Sequence, residues 1–257
     1  MKFVKFELKD RVGYVILNRP EKRNALNAEF VEELKTTFRN AEKDTSVKVI
    51  VIKANGDAFC AGADLGYLKT LQTNSYEENL ADSTALMELF QLIYSLKKVV
   101  IAQVEGHAIA GGCGLATVCD FVFAVPEVKF GYTEVKIGFI PAIVSLFLLR
   151  KIGEAKSKEL LLSGHLIDSS VAHKFGLVNY ISPLVEIDEK VFIFAQKLCL
   201  ENSSQSMEMT KKLISNAQHL SISDGLKLAA AENAKARETE DCKKGIAAFL
   251  NKEKIKW

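Results

Sequence analysis

Long hydrophobic runs are missing from this 257-residue sequence. Its most apolar stretch, Phe139 to Leu149, is far short of the ~20 residues that cross a bilayer. The opening residues, Met1-Lys2-Phe3-Val4-Lys5-Phe6-Glu7, alternate apolar and charged side chains, so we expect neither a secretory leader nor a membrane segment. Cysteine is scarce: Cys60, Cys113, Cys119, Cys199 and Cys242 are odd in number and form no C-x-x-C pair. That argues against a disulfide scaffold or a zinc ribbon and points to reduced thiols in the cytoplasm. Neither sign of charge dominates, with 34 basic and 32 acidic residues, so nucleic acid is not an expected partner. With 15 glycines and four prolines, collagen and low-complexity disorder are out of reach. No G-x-x-x-x-G-K-[ST] string and no dinucleotide fingerprint occurs, which removes the main support for nucleotide triphosphate chemistry.

What is present is ordinary globular composition, 48% hydrophobic and 26% charged, in a length that suits one large or two small domains. No linker, like-charge run or solenoid-period repeat divides the chain. Phe3 to Leu8 and Val12 to Leu17 read as strands of a hairpin joined by Lys9-Asp10-Arg11. Asn27 is placed to cap a helix carrying Phe30, Val31, Leu34 and Phe38 at helical spacing. Val47 to Ile52, rich in β-branched residues, predicts a central strand. A helix with Leu80, Met87, Phe90 and Ile93 on one stripe, a strand at Val99 to Val104, a helix from near Gly112 and a strand at Phe121 to Val125 follow. Beyond Pro141 the pattern turns helical, with Gly153, Gly164 and Gly176 as stops and a short strand within Leu177 to Ile181. Three amphipathic helices fill Ile187 to Leu250. The order is α/β first and α afterwards. We divide the chain into a core at 1–185 and a helical region at 186–257.

Two glycine-bearing turns stand between a buried strand and a helix. One runs Asn55-Gly56-Asp57-Ala58-Phe59-Cys60-Ala61-Gly62-Ala63-Asp64, the other Glu105-Gly106-His107-Ala108-Ile109-Ala110-Gly111-Gly112-Cys113-Gly114. Small residues let a ligand approach the backbone, and free N–H groups at a helix start attract negative charge. Two such turns facing one point make an oxyanion hole. The same residues also suit plain close packing of strand on helix, and local sequence leaves both open.

Taken together, Asn18-Arg19-Pro20-Glu21-Lys22-Arg23-Asn24-Ala25-Leu26-Asn27, Phe59-Cys60-Ala61-Gly62-Ala63-Asp64-Leu65, Ala110-Gly111-Gly112-Cys113-Gly114-Leu115-Ala116, Cys119-Asp120 and Phe130 to Gly138 resemble the enoyl-CoA hydratase/isomerase (crotonase) superfamily. The match runs in order from about residue 10 to 255. The resemblance implies an α/β spiral of ββα turns with a helical C-terminal trimerisation region, assembled as a trimer or dimer of trimers. It implies an acyl-CoA substrate and no cofactor beyond the coenzyme A of that substrate. The thioester oxygen would be held by the backbone N–H groups of Ala61 and Gly111. Lys22, Ala25, Ala61, Gly62, Ala63, Asp64 and Leu65 would cradle coenzyme A. Phe249 and Lys252 match a pattern that reaches its nucleotide end from a neighbouring subunit; Lys252 also fits a solvated tail beside Lys254 and Lys256.

Typical hydratases of that family carry one glutamate just after the Gly-Gly-Cys turn and another twenty positions on. Here the first position is Gly114 and the second Glu134. Glu134 stands in a segment that reads as buried, which would raise its pKa and suit acid/base work. One glutamate accommodates hydration of a 2-enoyl thioester, or a double-bond shift without water. The string Glu134 to Ser145, with Ile140-Pro141-Ala142, is similar to bacterial 3-methylglutaconyl-CoA hydratases, which also carry Gly at the first position, and favours hydration. A thioester binder without turnover is the reading from another class.

Weaker signals are set lower. His107 could reach the acyl pocket, but a lone histidine at a strand end is more often structural. His165, His173 and His219 lack ligand spacing, so no metal site is expected. Cys60 and Cys113 read as packing residues, Asp120 as a structural hydrogen-bond partner and Asp64 as a turn cap. Lys35, Arg39 and Lys43 share a helix with Glu29, Glu32, Glu33 and Glu42, which reads as a solvated face.

Overall fold

A computed structural model describes all of residues 1–257. The chain opens with the hairpin β1 (Val4–Lys9) and β2 (Val12–Leu17), in which Lys9 pairs with Val12. Asp10 and Arg11 both take positive φ, the backbone that a two-residue hairpin turn demands. Helix α1 (Ala28–Lys43) begins where the Asn27 side chain accepts the Phe30 N–H at 2.9 Å, and Phe30, Val31, Leu34 and Phe38 are buried as their spacing predicts.

From there the chain repeats one unit. A strand enters a large sheet, a second short strand crosses to a smaller sheet, and a helix returns. The units are β3 (Val49–Ala54), β4 (Ala58–Cys60), α2 (Leu65–Leu71) and α3 (Tyr76–Ser95), then β5 (Val99–Val104), β6 (His107–Ile109) and α4 (Gly111–Thr117), then β7 (Phe121–Ala124), β8 (Lys129–Gly131) and α5 (Ala142–Ser163). β9 (Ile167–Asp168), α6 (Ser169–Phe175) and β10 (Tyr180–Ile181) complete the sheets. The large sheet has the order β1-β2-β3-β5-β7-β10 and the small one β4-β6-β8-β9. β2 to β10 run parallel in the large sheet, as do β4, β6 and β8 in the small one. β5 is buried along its whole length, as a strand covered on both faces must be. The short second strands therefore all end at one edge, and each hands over directly to a turn.

The carboxy-terminal part holds four helices, α7 (Leu184–Glu201), α8 (Ser204–Ala217), α9 (Ile222–Glu238) and α10 (Glu240–Leu250), where periodicity predicted three. The breaks are made by Ser203, Ser221 and Thr239, whose hydroxyls accept the N–H groups of Ser206, Asp224 and Cys242. α7 buries Ile187, Val191, Ala195 and Cys199 against the large sheet. By packing it belongs to the core expected to close at 185, and the region without any buried residue begins at α8.

Two further expectations are corrected. In α3 the buried face is Leu89, Phe90 and Ile93, while Leu80 and Met87 are exposed; at about 100° per residue those two lie around the helix from that face. Lys35 is buried, because Glu32 and Glu88 of α3 hold its ammonium at 2.6 and 2.7 Å. Gly153 is a stop as expected: with φ 77° and ψ 170° it is non-helical and divides α5 into two helical arms. No helix is long and apolar enough to cross a membrane.

The two glycine turns meet backbone to backbone. A Cβ on Gly112 would stand 2.1 Å from the Cys60 carbonyl oxygen, and one on Gly106 2.4 Å from that of Asp57. Gly112→Ala is therefore expected to cost about 3 kcal/mol or more, at or above the top of the usual overpacking range. A urea midpoint equal to the parent protein's would refute this contact.

Candidate active site

The first turn leaves β4 at Cys60 and is strapped to the Asn18–Asn27 loop. The Ala61 N–H donates to the Arg23 carbonyl at 3.0 Å, Leu26 N–H to the Gly62 carbonyl at 2.7 Å, and Asp64 N–H to the Leu26 carbonyl at 2.9 Å. The loop itself is fixed by Asn24, which accepts from Arg19 N–H and donates to the carbonyls of Asn55 and Ala58. Asp64 caps α2 through Gly66 N–H at 2.7 Å and pairs with Arg19 at 2.7 Å. Burial alone would raise its pKa, but the Gly66 N–H and the Arg19 guanidinium outweigh it and hold the carboxyl below its usual range. Asp64 is thus a turn-orienting group, as expected.

These bonds correct one expectation. The Ala61 amide is spent on Arg23, so it is not a free oxyanion donor. The Ala63 amide, two residues on, meets no acceptor. Across from it, Gly111 is the first residue of α4, where an amide has no intrahelical partner. The turns abut: a Cβ on Gly62 (φ 86°) would lie 2.9 Å from Ala110 Cβ and 3.6 Å from Gly111 N. Ala110 takes φ 49° and ψ −123°, a strained conformation for a residue with a Cβ, held by its N–H to the Gly131 carbonyl at 2.8 Å. Two unspent amides, Ala63 and Gly111, therefore lie on neighbouring turns, which is the hardware of an oxyanion hole.

Glu134 opens a short 3-10 helix, Glu134–Ile137. Its Oε2 is buried with no hydrogen-bond partner, and burial pushes its pKa up. Beside it, Tyr132 is fully buried, its hydroxyl shared with Thr117 at 2.5 Å. The Cys113 thiol is pushed up to about 12, chiefly by burial, with Glu134 contributing. Cys60 is likewise buried and pushed up to about 12, so both are packing residues. The segment after Glu134 is not buried as predicted: Ile137 and Ile140 are 67% and 73% exposed. The backbone swings outward at Gly138, φ 77°.

At Gly114 a Cβ would stand 2.7 Å from the Phe90 ring and 2.9 Å from Val144 Cγ1. The place of a second carboxylate is filled by these two side chains, which the sequence placed only on a helix stripe and in the Glu134–Ser145 string, without a role at the site. Ala61 to Leu65 adjoin Gly111 through Gly62, while Lys22 and Ala25 stand on the strapped loop, Ala25 accepting from Arg19 and Lys22 near enough to Asp64 for its charge to lower that carboxyl's pKa. Phe249 and Lys252 do not join them within one chain, because α10 packs on α8 and α9. His107 is exposed and accepts the Lys129 N–H at 3.1 Å. Asp120 accepts from Val100 N–H and Lys211, a structural role. A cavity of about 710 Å³ lies at the other end of α4, lined by Val99, Asp120, Lys211 and Trp257 among others; none of the turn residues borders it.

The model of the enoyl-CoA hydratase/isomerase family matches residues 7–257. The chain belongs to this family. A Thermus thermophilus relative, provisionally named an enoyl-CoA hydratase, is 42% identical over 244 residues, 95% of this chain and 96% of that one. The crotonyl-CoA hydratase of Syntrophomonas wolfei is 31% identical over 250 residues, 96% of this chain and 95% of its own. A crystal structure of an enoyl-CoA hydratase from Shewanella pealeana superposes with a TM-score of 0.94 at 27% identity, covering 99% and 96% of the two chains. The fold is thus the crotonase spiral, and enzymes of this family act on acyl-CoA thioesters.

Two stability results follow from the site. Glu134→Gln should be more stable than the parent at neutral pH, because a raised folded-state pKa makes the ionised carboxyl a liability there. That gain should vanish below the ordinary value of 4.5, where the carboxyl is neutral in both states. Equal stability of the two proteins at both pH values would count against burial of Oε2. Gly114→Glu should cost about 3 kcal/mol or more by forcing a carboxylate into the Phe90–Val144 contact. Adding Phe90→Ala should recover part of that loss in thermal unfolding, and no recovery would mean that the space is closed by something else.

Proposed function

We propose that the protein adds water across the double bond of a 2-enoyl-CoA thioester, with Glu134 as its single acid/base. The observation that carries this reading is a buried, unpartnered carboxyl oxygen in a chain that also offers two free turn amides. The thioester oxygen accepts from Ala63 and Gly111 N–H, which stabilises the enolate formed when the β-carbon is attacked. The Glu134 carboxylate takes one proton from water as the water oxygen bonds to the β-carbon. The carboxyl then returns that proton to the α-carbon, so the atoms balance with one glutamate. A raised pKa suits a group that must both accept and release a proton near neutrality.

Coenzyme A lies along Lys22, Ala25 and the Ala61–Leu65 turn, with Phe249 and Lys252 supplied by a neighbouring subunit of a trimer or dimer of trimers. Supporting that assembly, α8 to α10 bury nothing and expose Ile222, Leu226, Phe249 and Leu250. 3-Methylglutaconyl-CoA is the favoured acyl group. Filling the Gly114 site with Phe90 and Val144 removes a carboxylate that would repel a distal acyl carboxylate. A single glutamate also permits a double-bond shift, which is the second reading.

Purified protein incubated with 3-methylglutaconyl-CoA and crotonyl-CoA in ¹⁸O-labelled water should yield products heavier by one labelled water, faster for the former. Glu134→Gln should lower turnover about 10³-fold while still binding the thioester. A 3-enoyl-CoA converted to its 2-enoyl isomer without label uptake would replace hydration by isomerisation. Binding without turnover in the parent protein would leave only the binder.

A further inference from the structure

Lys151 is a half-buried lysine without a carboxylate hydrogen-bonded to it. Its Nζ donates instead to the carbonyls of Thr117 and Cys119, at 3.0 and 2.7 Å. Those are the carbonyls at the carboxyl end of α4, the helix whose other end carries Gly111. Seven residues span only about 10 Å, so the ammonium and the Gly111 amide sit at opposite ends of one short, almost wholly buried rod. Burial lowers the pKa of Lys151, and a positive charge at a helix carboxyl end is otherwise favourable.

Lys151 also sits two residues before Gly153, the bend of α5. Both arms of α5 lead back to Glu134. The first arm begins at Ala142, just after Phe139, whose N–H donates to the Glu134 carbonyl at 3.0 Å. The second ends at Gly164, where a Cβ would stand 3.0 Å from Val135 Cγ2 and 3.2 Å from Lys136 Cε. Val144, two turns before Lys151 and on the same face, touches α4 at Gly114. The connection Gly138–Pro141 gives little independent support, since nothing stands within 4 Å of a Cβ on Gly138.

We propose that Lys151 is a positioning residue for the reaction: by pinning the elbow of α5 to the carboxyl end of α4, it sets where Glu134 stands relative to the Gly111 amide. The inference rests on the reading of Gly111 and Glu134 as oxyanion donor and acid/base. The two turns themselves are held together by the Gly62–Ala110 and Gly112–Cys60 approaches. Loss of Lys151 therefore misplaces the acid/base and leaves thioester binding intact.

The test compares the parent protein with Lys151→Met, which fills similar volume without donors, and Lys151→Gln, which keeps one. Butyryl-CoA labelled with ¹³C at its carbonyl serves as an unreactive thioester; its binding stoichiometry counts intact sites and its carbonyl stretch reports the oxyanion hole. Turnover is followed with crotonyl-CoA. For Lys151→Met, kcat per intact site should fall about 10- to 100-fold, the cost of a misplacement near 1 Å. KM should stay within about twofold and the carbonyl shift should match the parent's, with Lys151→Gln in between. Should the methionine variant not fold, the glutamine variant carries the comparison with a smaller loss of kcat. Unchanged kcat per site, or a loss of activity matched by a loss of sites, would overturn the role of Lys151. No carbonyl shift in the parent protein would instead overturn the oxyanion reading beneath it.

Discussion

The close approach of two strand-end turns, with no side chain between them, is the constraint on which the rest of the structure depends. Gly112 lies so near the Cys60 carbonyl that any Cβ would overlap it, and Gly62 stands against Ala110. The approach puts the Ala63 and Gly111 amides on adjoining turns and costs backbone strain at Ala110. The spiral makes the contact possible. Because each ββα unit puts its second strand in the small sheet, consecutive turns arise from adjacent strands β4 and β6. Arg19 and Asn24 then tie the Asn18–Asn27 loop to the first turn, which explains why a surface-like string of polar residues is partly buried.

Helix ends elsewhere are secured by a repeated device. Lys48 donates to the Cys199 and Asn202 carbonyls at the end of α7. Lys98 donates to the Ala41 and Asp44 carbonyls at the end of α1, and Lys151 does the same for α4. In each case an ammonium satisfies carbonyls that a helix leaves unpaired and opposes the negative end of its dipole. Burial lowers the pKa of all three, so each trades desolvation for fixed geometry. Net charge near zero gives no sign of this, because these lysines act on carbonyls rather than on carboxylates.

Much of the fold was legible because its signals are local. The Asn27 cap, the apolar stripe of α1 and the β-branched strands each follow from a few adjacent residues. Where expectation failed, the deciding partner was distant. Val47 and Lys48 look like strand, but β3 starts at Val49, and Lys48 is drawn to the end of α7. Ala61 and Ala63 are the same residue type in one turn, and only the Arg23 carbonyl decides which amide is spent. The fourth carboxy-terminal helix was hidden because periodicity runs on through Ser203 and Thr239, although both are good capping residues. Leu80 and Met87 share a plausible stripe that the packing of α3 does not use.

The missing second carboxylate and the state of Glu134 are two sides of one physical fact. Phe90 and Val144 close the space at Gly114, so no polar group enters from α4 to share or oppose the charge of Glu134. Tyr132 is committed to Thr117, and Cys113 is too weak an acid to ionise nearby. Glu134 Oε2 is left buried and unpartnered, and desolvation pushes its pKa up. A pair of glutamates can divide proton removal from proton return; a lone one must do both. For that it needs a conjugate acid that forms readily and a base that is not quenched by a neighbour. In the proposed reaction, burial of Glu134 supplies the raised pKa that a group working alone needs.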